Sequence, residues 1–249
     1  MKLSNCSVFG GLALLSVVLG CGRSAIGRIE WVTMGTVAAV QHRGGGETKV
    51  VEKVVRESFA RVVDEFNAFD PNSAINRLGK CTAFGQPCWD FAFRLKDETS
   101  GAFDPYWKRN GKLDFGAVAK GFAVDLAADE VRKVLSDGAP DILIDLGGNL
   151  KAVKGDWTVG IKDGAPFVLK EGEACATSAA YYRGEHIIDA RTGNAATNGV
   201  YSVTVVHPSS AMIADGLSTI LYILGREKGE LFLRKHHPEA RVLYIRNEN

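Results

Sequence analysis

Residues 114–125, Asp-Phe-Gly-Ala-Val-Ala-Lys-Gly-Phe-Ala-Val-Asp, constrain this chain more than any other stretch. Gly116 and Gly121 punctuate a turn that runs into apolar residues at helical spacing, Val124, Ala127, Val131 and Val134, and Ser136-Asp137-Gly138 supplies a stop. A glycine-bearing turn at a helix start presents unpaired backbone N–H groups where the helix dipole favours negative charge, so the segment predicts an anion cradle. The competing reading is that the glycines only let a helix pack closely on a sheet. A P-loop nucleotidase is disfavoured, because G-x-x-x-x-G-K-[ST] places lysine after the glycine and here Lys120 precedes Gly121. Residues 142–146 then read as a strand closed by Gly147-Gly148.

The first twenty residues read as a targeting segment. Met1-Lys2 is a short charged start, residues 8–19 are an apolar run too short to span a bilayer, and Val18-Leu19-Gly20-Cys21 resembles a bacterial lipobox. This predicts a signal peptide over 1–20, a lipid-anchored Cys21 on the extracytoplasmic face of a bacterial cell membrane, and one folded domain over 21–249. With 46% hydrophobic residues that remainder can bury a substantial core, and a net charge of +1 without a basic run argues against nucleic acid as a partner. Cys81 and Cys88 flank a short loop and are candidates for a small disulfide, whereas Cys175 lies in an apolar run and reads as buried and inert. No C-x-x-C spacing supports zinc.

Residues 28–42 have strand character interrupted at Met34-Gly35-Thr36, which suggests a bulge or a ligand pressed against backbone. Val51, Val54, Val55, Phe59, Val62 and Phe66 then recur at helical spacing and predict a core-facing helix. Residues 157–161 and 175–182 read as neighbouring strands. Asp215 and Thr219 stand four apart on a predicted helix and share a face, an oxygen pair suited to magnesium or, alternatively, an aspartate capping its own helix.

The 114–125 segment, followed by Leu146-Gly147-Gly148-Asn149, by His186-Ile187-Ile188-Asp189-Ala190-Arg191-Thr192-Gly193 and by Ala214-Asp215-Gly216-Leu217-Ser218-Thr219, resembles the ApbE family of FAD:protein FMN transferases in order and kind. The resemblance runs from about Met34 to the C-terminus. It implies an α+β fold of antiparallel sheets with helices packed on them and flavin held between two halves. It also implies that Met34, Phe69, Ala102, Phe103, Asp104, Asp114, Lys120, Ile187 and Ser218 meet FAD, and that Asp215, Thr219 and the carbonyl of Ala117 hold Mg2+. His186 is then a candidate base or orienting group, with Lys120 and Asp215 beside it in the catalytic set. Phe69 stands where the family usually has an aromatic residue, often tyrosine, and keeps the stacking face without the hydroxyl.

The chain also departs from the family pattern. Only residues 106–113 separate the Phe103-Asp104-Pro105 turn from Asp114, where longer members carry several dozen residues, and residues 179–186 are also trimmed. Ala179 replaces a family glycine, at ~1 kcal/mol or more if φ is positive there, and Ala190 replaces a proline. The implied activity is transfer of FMN from FAD to a protein threonine, with AMP leaving. The implied acceptors are subunits of membrane redox complexes of the NADH:quinone oxidoreductase or Rnf type. Two alternatives use the same residues: a magnesium-dependent FAD pyrophosphatase, and a lipoprotein that binds FAD without chemistry.

Overall fold

The computed structural model describes residues 25–108, 111–179, 187–196 and 199–247. The predicted signal peptide and lipobox with Cys21, and His186, lie outside the described residues. The first described elements are strands β1 (Ile26–Thr33) and β2 (Thr36–Arg43), paired antiparallel across Thr33 and Thr36. Met34 (φ 48°) and Gly35 (φ 68°) both adopt the left-handed conformation that a two-residue hairpin of this twist requires. The break, which suggests either a bulge or a ligand pressed against backbone, is the turn of a hairpin.

Helix α1 (Thr48–Phe66) buries Val51, Val55, Phe59, Val62 and Phe66, with Val54 half-buried at the edge of the stripe. Short helix α2 (Ala74–Leu78) and helix α3 (Gln86–Glu98) follow. Helix α4 (Ala119–Val134) starts earlier than its apolar stripe predicts and takes Gly121 inside its first turn. Its buried face is Val124, Ala127, Ala128 and Val131, and Val134 is exposed.

Strands β3 (Asp141–Leu146) and β4 (Asn149–Lys154) form a second tight hairpin through Gly147 and Gly148, both at positive φ. Next come β5 (Trp157–Val159), β6 (Phe167–Leu169), β7 (Ala174–Ala179), β8 (Ile188–Asp189), β9 (Asn194–Ala195) and β10 (Val200–His207). Helices α5 (Ala211–Leu224) and α6 (Arg226–His236) and strand β11 (Arg241–Asn247) complete the described chain.

The main sheet has seven strands in the order β1-β2-β3-β4-β7-β10-β11, all pairings antiparallel. Alternation splits β3, β4, β7 and β10 between two cores. Ile142, Ile144 and Leu146 face the helices, while Leu143, Leu150, Cys175 and Val206 face the small β5–β6 ribbon around the fully buried Trp157. This is the predicted α+β arrangement. Two expectations need correction. The described part of the second segment, β7, is not paired with β5, because β5 pairs with β6 and β7 lies between β4 and β10; Trp157 and Cys175 share one hydrophobic cluster. Cys81 and Cys88 are separate thiols, Cys88 facing the core and Cys81 donating to Oε1 of Gln86 at 3.5 Å. Cys175 is buried as expected, and burial pushes its thiol well above the ordinary range. Among the described residues no helix is long and apolar enough to cross a membrane.

Candidate active site

A cavity of ≈ 1010 Å³ opens where the β1–β2 and β3–β4 turns, the end of α1, the start of α4 and one face of α5 converge. Met34, Phe69, Phe103, Asp104, Asp114, Ala117, Lys120, Ile187, Asp215 and Thr219, all predicted site residues, line it. Ala102 and Ser218 do not.

Asp114 opens the site. Its Oδ1 accepts the Gly116 N–H at 2.9 Å, and its Oδ2 accepts from Lys108 Nζ at 2.9 Å and Trp107 Nε1 at 3.3 Å. Burial pushes this carboxyl up, but Lys108 and the Gly116 N–H outweigh it and hold the group below the usual carboxylate range. The N–H groups of Val118 and Ala119 both donate to the Phe115 carbonyl, and that of Gly121 to Asp215. Four backbone donors of the expected cradle thus already have protein partners, and the positive charge beside the turn is Lys120, whose ammonium donates to the Gly116 carbonyl at 3.0 Å. The two glycines also differ in role. A Cβ at Gly121 would stand 2.3 Å from the Ala211 carbonyl oxygen, so this glycine admits helix α5 rather than a ligand.

Asp215 projects from α5 into the cavity and is 4% exposed. Its Oδ2 accepts the Gly121 N–H at 3.0 Å, and Lys120 Nζ stands 3.4 Å from each carboxylate oxygen. Burial raises its pKa, with Lys120, the Gly121 N–H and the Asn149 side chain opposing. One turn on, Thr219 Oγ1 is 3.2 Å from Ser178 Oγ, which is 2.8 Å from Ser218 Oγ. Ser218 in turn donates to the Asp215 carbonyl at 2.9 Å. Ser218 was expected at the cofactor; it faces β7 instead, because three residues of helix rotate it away from the cavity while four bring Thr219 back. Ala102, also expected there, is 1% exposed behind the wall, where its carbonyl accepts the Ala190 N–H at 3.0 Å. A proline at 190 would lack that donor.

Sequence reasoning missed Trp107 and Lys108, while Ser178, which lines the cavity, belongs to the Thr177-Ser178 pair that resembles a family motif. Lys108 Nζ lies 5.3 Å from the centre of the Phe69 ring and 5.1 Å from that of Trp107, so a cation sits between two aromatic faces at the rim. No periodicity marks Trp107 and Lys108, which belong to the short connection before Asp114. Ser178 was accessible from strand alternation once β7 was placed beside α5. Ala179 is not among the residues at positive φ, so the family glycine is replaced there without strain.

The oxygen set offered by Asp215, Thr219 and the backbone of Ala117 suits a hard divalent cation. The Asp215 carboxylate has its nearest cation at a long 3.4 Å, and the buried Oδ1 of Asn149 has no hydrogen-bond partner. These residues fit Mg2+ as one partly protein-bound ion. Among the described residues no group of three His, Cys, Asp or Glu could hold a metal, and magnesium ordinarily keeps waters and takes oxygens from substrate phosphates.

Fold and cavity together define an α+β protein whose site combines a lysine at the start of α4 with a buried carboxylate and a hydroxyl on one face of α5. The sequence model of the ApbE family matches residues 106–244, and the chain belongs to the ApbE family. An FAD:protein FMN transferase of Klebsiella pneumoniae (strain 342) is 33% identical over 155 residues, covering 55% of this chain and 47% of the relative. One of Treponema pallidum (strain Nichols) is 35% identical over 163 residues, covering 54% and 43%. The matches thus span about half the length of these relatives. Among solved structures, the ApbE protein of Thermotoga maritima superposes with a TM-score of 0.76 at 21% identity, over 90% of this chain and 97% of that one. The flavin transferase ApbE of Vibrio cholerae gives 0.72 at 20%, with the same coverage.

Proposed function

We propose that the protein is a magnesium-dependent FAD:protein FMN transferase, which attaches FMN through a phosphoester to a threonine of an extracytoplasmic or membrane redox protein. The observation that carries this is the convergence of Lys120, Asp215 and Thr219 on one cavity of ≈ 1010 Å³. Its relatives' names support the same chemistry.

In this reading the FAD diphosphate lies against Lys120, whose ammonium leaves its long contact with Asp215 for phosphate oxygens. Asp215 in its ionised form, Thr219 and the Ala117 carbonyl would hold the metal, which when bound would supply Lewis-acid charge at the diphosphate. The acceptor hydroxyl forms a new P–O bond at the phosphorus of the FMN half. The bridging P–O bond breaks, and AMP leaves with the bridging oxygen. The hydroxyl proton passes to a base, for which His186 is the candidate. Positioning and fixed charge carry most of such a phosphoryl transfer. The lipobox at Cys21 would tether the site to the membrane face where acceptor subunits of NADH:quinone oxidoreductase or Rnf type reside.

Hydrolysis is the second reading. Phe69 is 89% exposed at the rim, so the mouth is open to water that can replace the acceptor hydroxyl. The deciding experiment incubates the protein with FAD, Mg2+ and a threonine-bearing acceptor peptide, then measures peptide mass, AMP and FMN. A mass gain of one FMN with equimolar AMP supports transfer. Free FMN and AMP with an unchanged peptide supports the pyrophosphatase, and intact FAD supports a carrier.

A further inference from the structure

Helices α4 and α5 cross with their first turns in contact, and each supplies a carboxylate to the start of the other. Gly121 and Asp125 are one turn apart on α4, and Ala211 and Asp215 are one turn apart on α5. Asp215 Oδ2 accepts the Gly121 N–H at 3.0 Å. In return, Asp125 accepts the Ala211 N–H on Oδ1 at 2.8 Å and the Met212 N–H on Oδ2 at 3.0 Å. Two more donors complete Asp125: the Ser210 hydroxyl at 2.7 Å, and the ammonium of Lys151, a side chain only 4% exposed, at 2.7 Å. Every contact of this carboxylate is thus a protein donor, and it does not line the cavity.

We propose that Asp125 is a positioning residue that sets the height and rotation of α5 against α4, and through α5 the places of Asp215 and Thr219. This rests on the reading of those two as the reactive site. Without Asp125, two N–H groups of the first turn of α5 lose their acceptor, and only the Ser210 hydroxyl, which accepts from Ile213 N at 3.2 Å, still caps the helix. A rotation of α5 moves Asp215 and Thr219 together, and misplacement by about 1 Å is enough to cost ~100-fold in rate.

The Gly121 amide reports on this geometry without substrate or metal, because it donates directly to Asp215. In the 15N-labelled full chain at constant pH this N–H is expected to be protected from hydrogen exchange. The test variant joins Asp125→Asn with Lys151→Met: an amide accepts on one oxygen only, so one of the two N–H bonds is lost, and no unpaired ammonium stays buried. The expected result is a folded protein in which the Gly121 amide exchanges ~10-fold faster or more relative to the rest of α4, with kcat for FAD lowered ~10-fold or more and KM within about threefold. Asp125→Glu, which keeps the charge but lengthens the side chain, serves if the double variant does not fold and should speed the same exchange. Gly121 exchange and a kcat unchanged from wild type in either folded variant, or a wild-type Gly121 N–H that exchanges as fast as an exposed amide, overturns the proposal. Absence of FAD turnover in the wild type would count against the proposed function alone, since amide exchange does not depend on it.

Discussion

Lys120 places its ammonium 3.4 Å from both carboxylate oxygens of Asp215, across the gap between the first turns of α4 and α5. Burial pushes the Asp215 carboxyl up, and this cation is the largest influence holding it down. Lys120→Met should therefore raise that pKa further. If ionised Asp215 is needed to hold metal, activity is lost as pH falls through its pKa, so in the variant the acid limb of the kcat/KM profile moves to higher pH. Loss of one charge-assisted hydrogen bond to the diphosphate should also weaken FAD binding ~10-fold or more. A profile with the wild-type acid limb would show that Lys120 and Asp215 do not share charge in solution.

The contact that brings these two residues together predicts an asymmetry between the motif's glycines. At Gly121 an added Cβ meets backbone, the Ala211 carbonyl oxygen at 2.3 Å and the Met212 Cα at 2.6 Å. At Gly116 the nearest atom is a side-chain oxygen of Asp114 at 3.0 Å, which can move. Gly121→Ala should cost ~1–3 kcal/mol or more in thermal unfolding, and Gly116→Ala clearly less. Equal losses would mean that α4 and α5 are not held at this distance.

Local patterns carried much of this site into view. The stripe on α1, the Gly147-Gly148 turn and the four-residue spacing of Asp215 and Thr219 are periodicities that backbone geometry enforces, so the sequence shows them directly. What it could not show is where a side chain goes once elements meet. Asp125 reads as the last residue of the 114–125 motif with no partner assigned until α5 is laid against it, and Gly121 can be a ligand glycine or a packing glycine until Ala211 fills the space. Ser218 and Thr219 are adjacent in sequence, and helix rotation separates them, but that Ser218 meets Ser178 follows only from the position of β7. The separation of β5 from β7 is likewise a matter of topology, which strand propensity does not encode.

Asp145 gives a prediction free of the reaction. It sits in β3 under the Gly147-Gly148 turn, accepting the Gly148 N–H at 3.0 Å, with Arg28 3.7 Å away. Burial, opposed by that N–H and by Arg28, pushes its pKa from 3.8 up to about 6. A folded-state pKa above the unfolded value means that the contribution of the protonated group is fully present below pH 3.8 and is lost as pH rises through about 6. Asp145→Asn keeps an acceptor for Gly148 and carries no charge. It should match wild type near pH 4 and exceed it by up to ~3 kcal/mol at pH 8, since each pKa unit is worth about 1.4 kcal/mol. Parallel stability curves for the two proteins across this range would refute the assignment.

Met34 bears on the balance between stability and function. It is a non-glycine residue at φ 48° in the β1–β2 turn, where an unbranched side chain costs ~1 kcal/mol and asparagine or glycine is preferred. Its side chain lines the cavity and packs half-buried against the main core, alongside Thr36, whose side chain touches the Gly147 turn. A strained residue at the wall of a site is retained when its side chain serves the ligand. Met34→Asn restores the preferred Asn-Gly turn and should stabilise the fold by ~0.5–1 kcal/mol. The same change removes an apolar wall and should raise the Kd for FAD severalfold, read by quenching of flavin fluorescence during titration. Stabilisation with an unchanged Kd would make Met34 a turn residue with no part in binding, and a loss of stability would show that its packing against the core outweighs the strain of the turn.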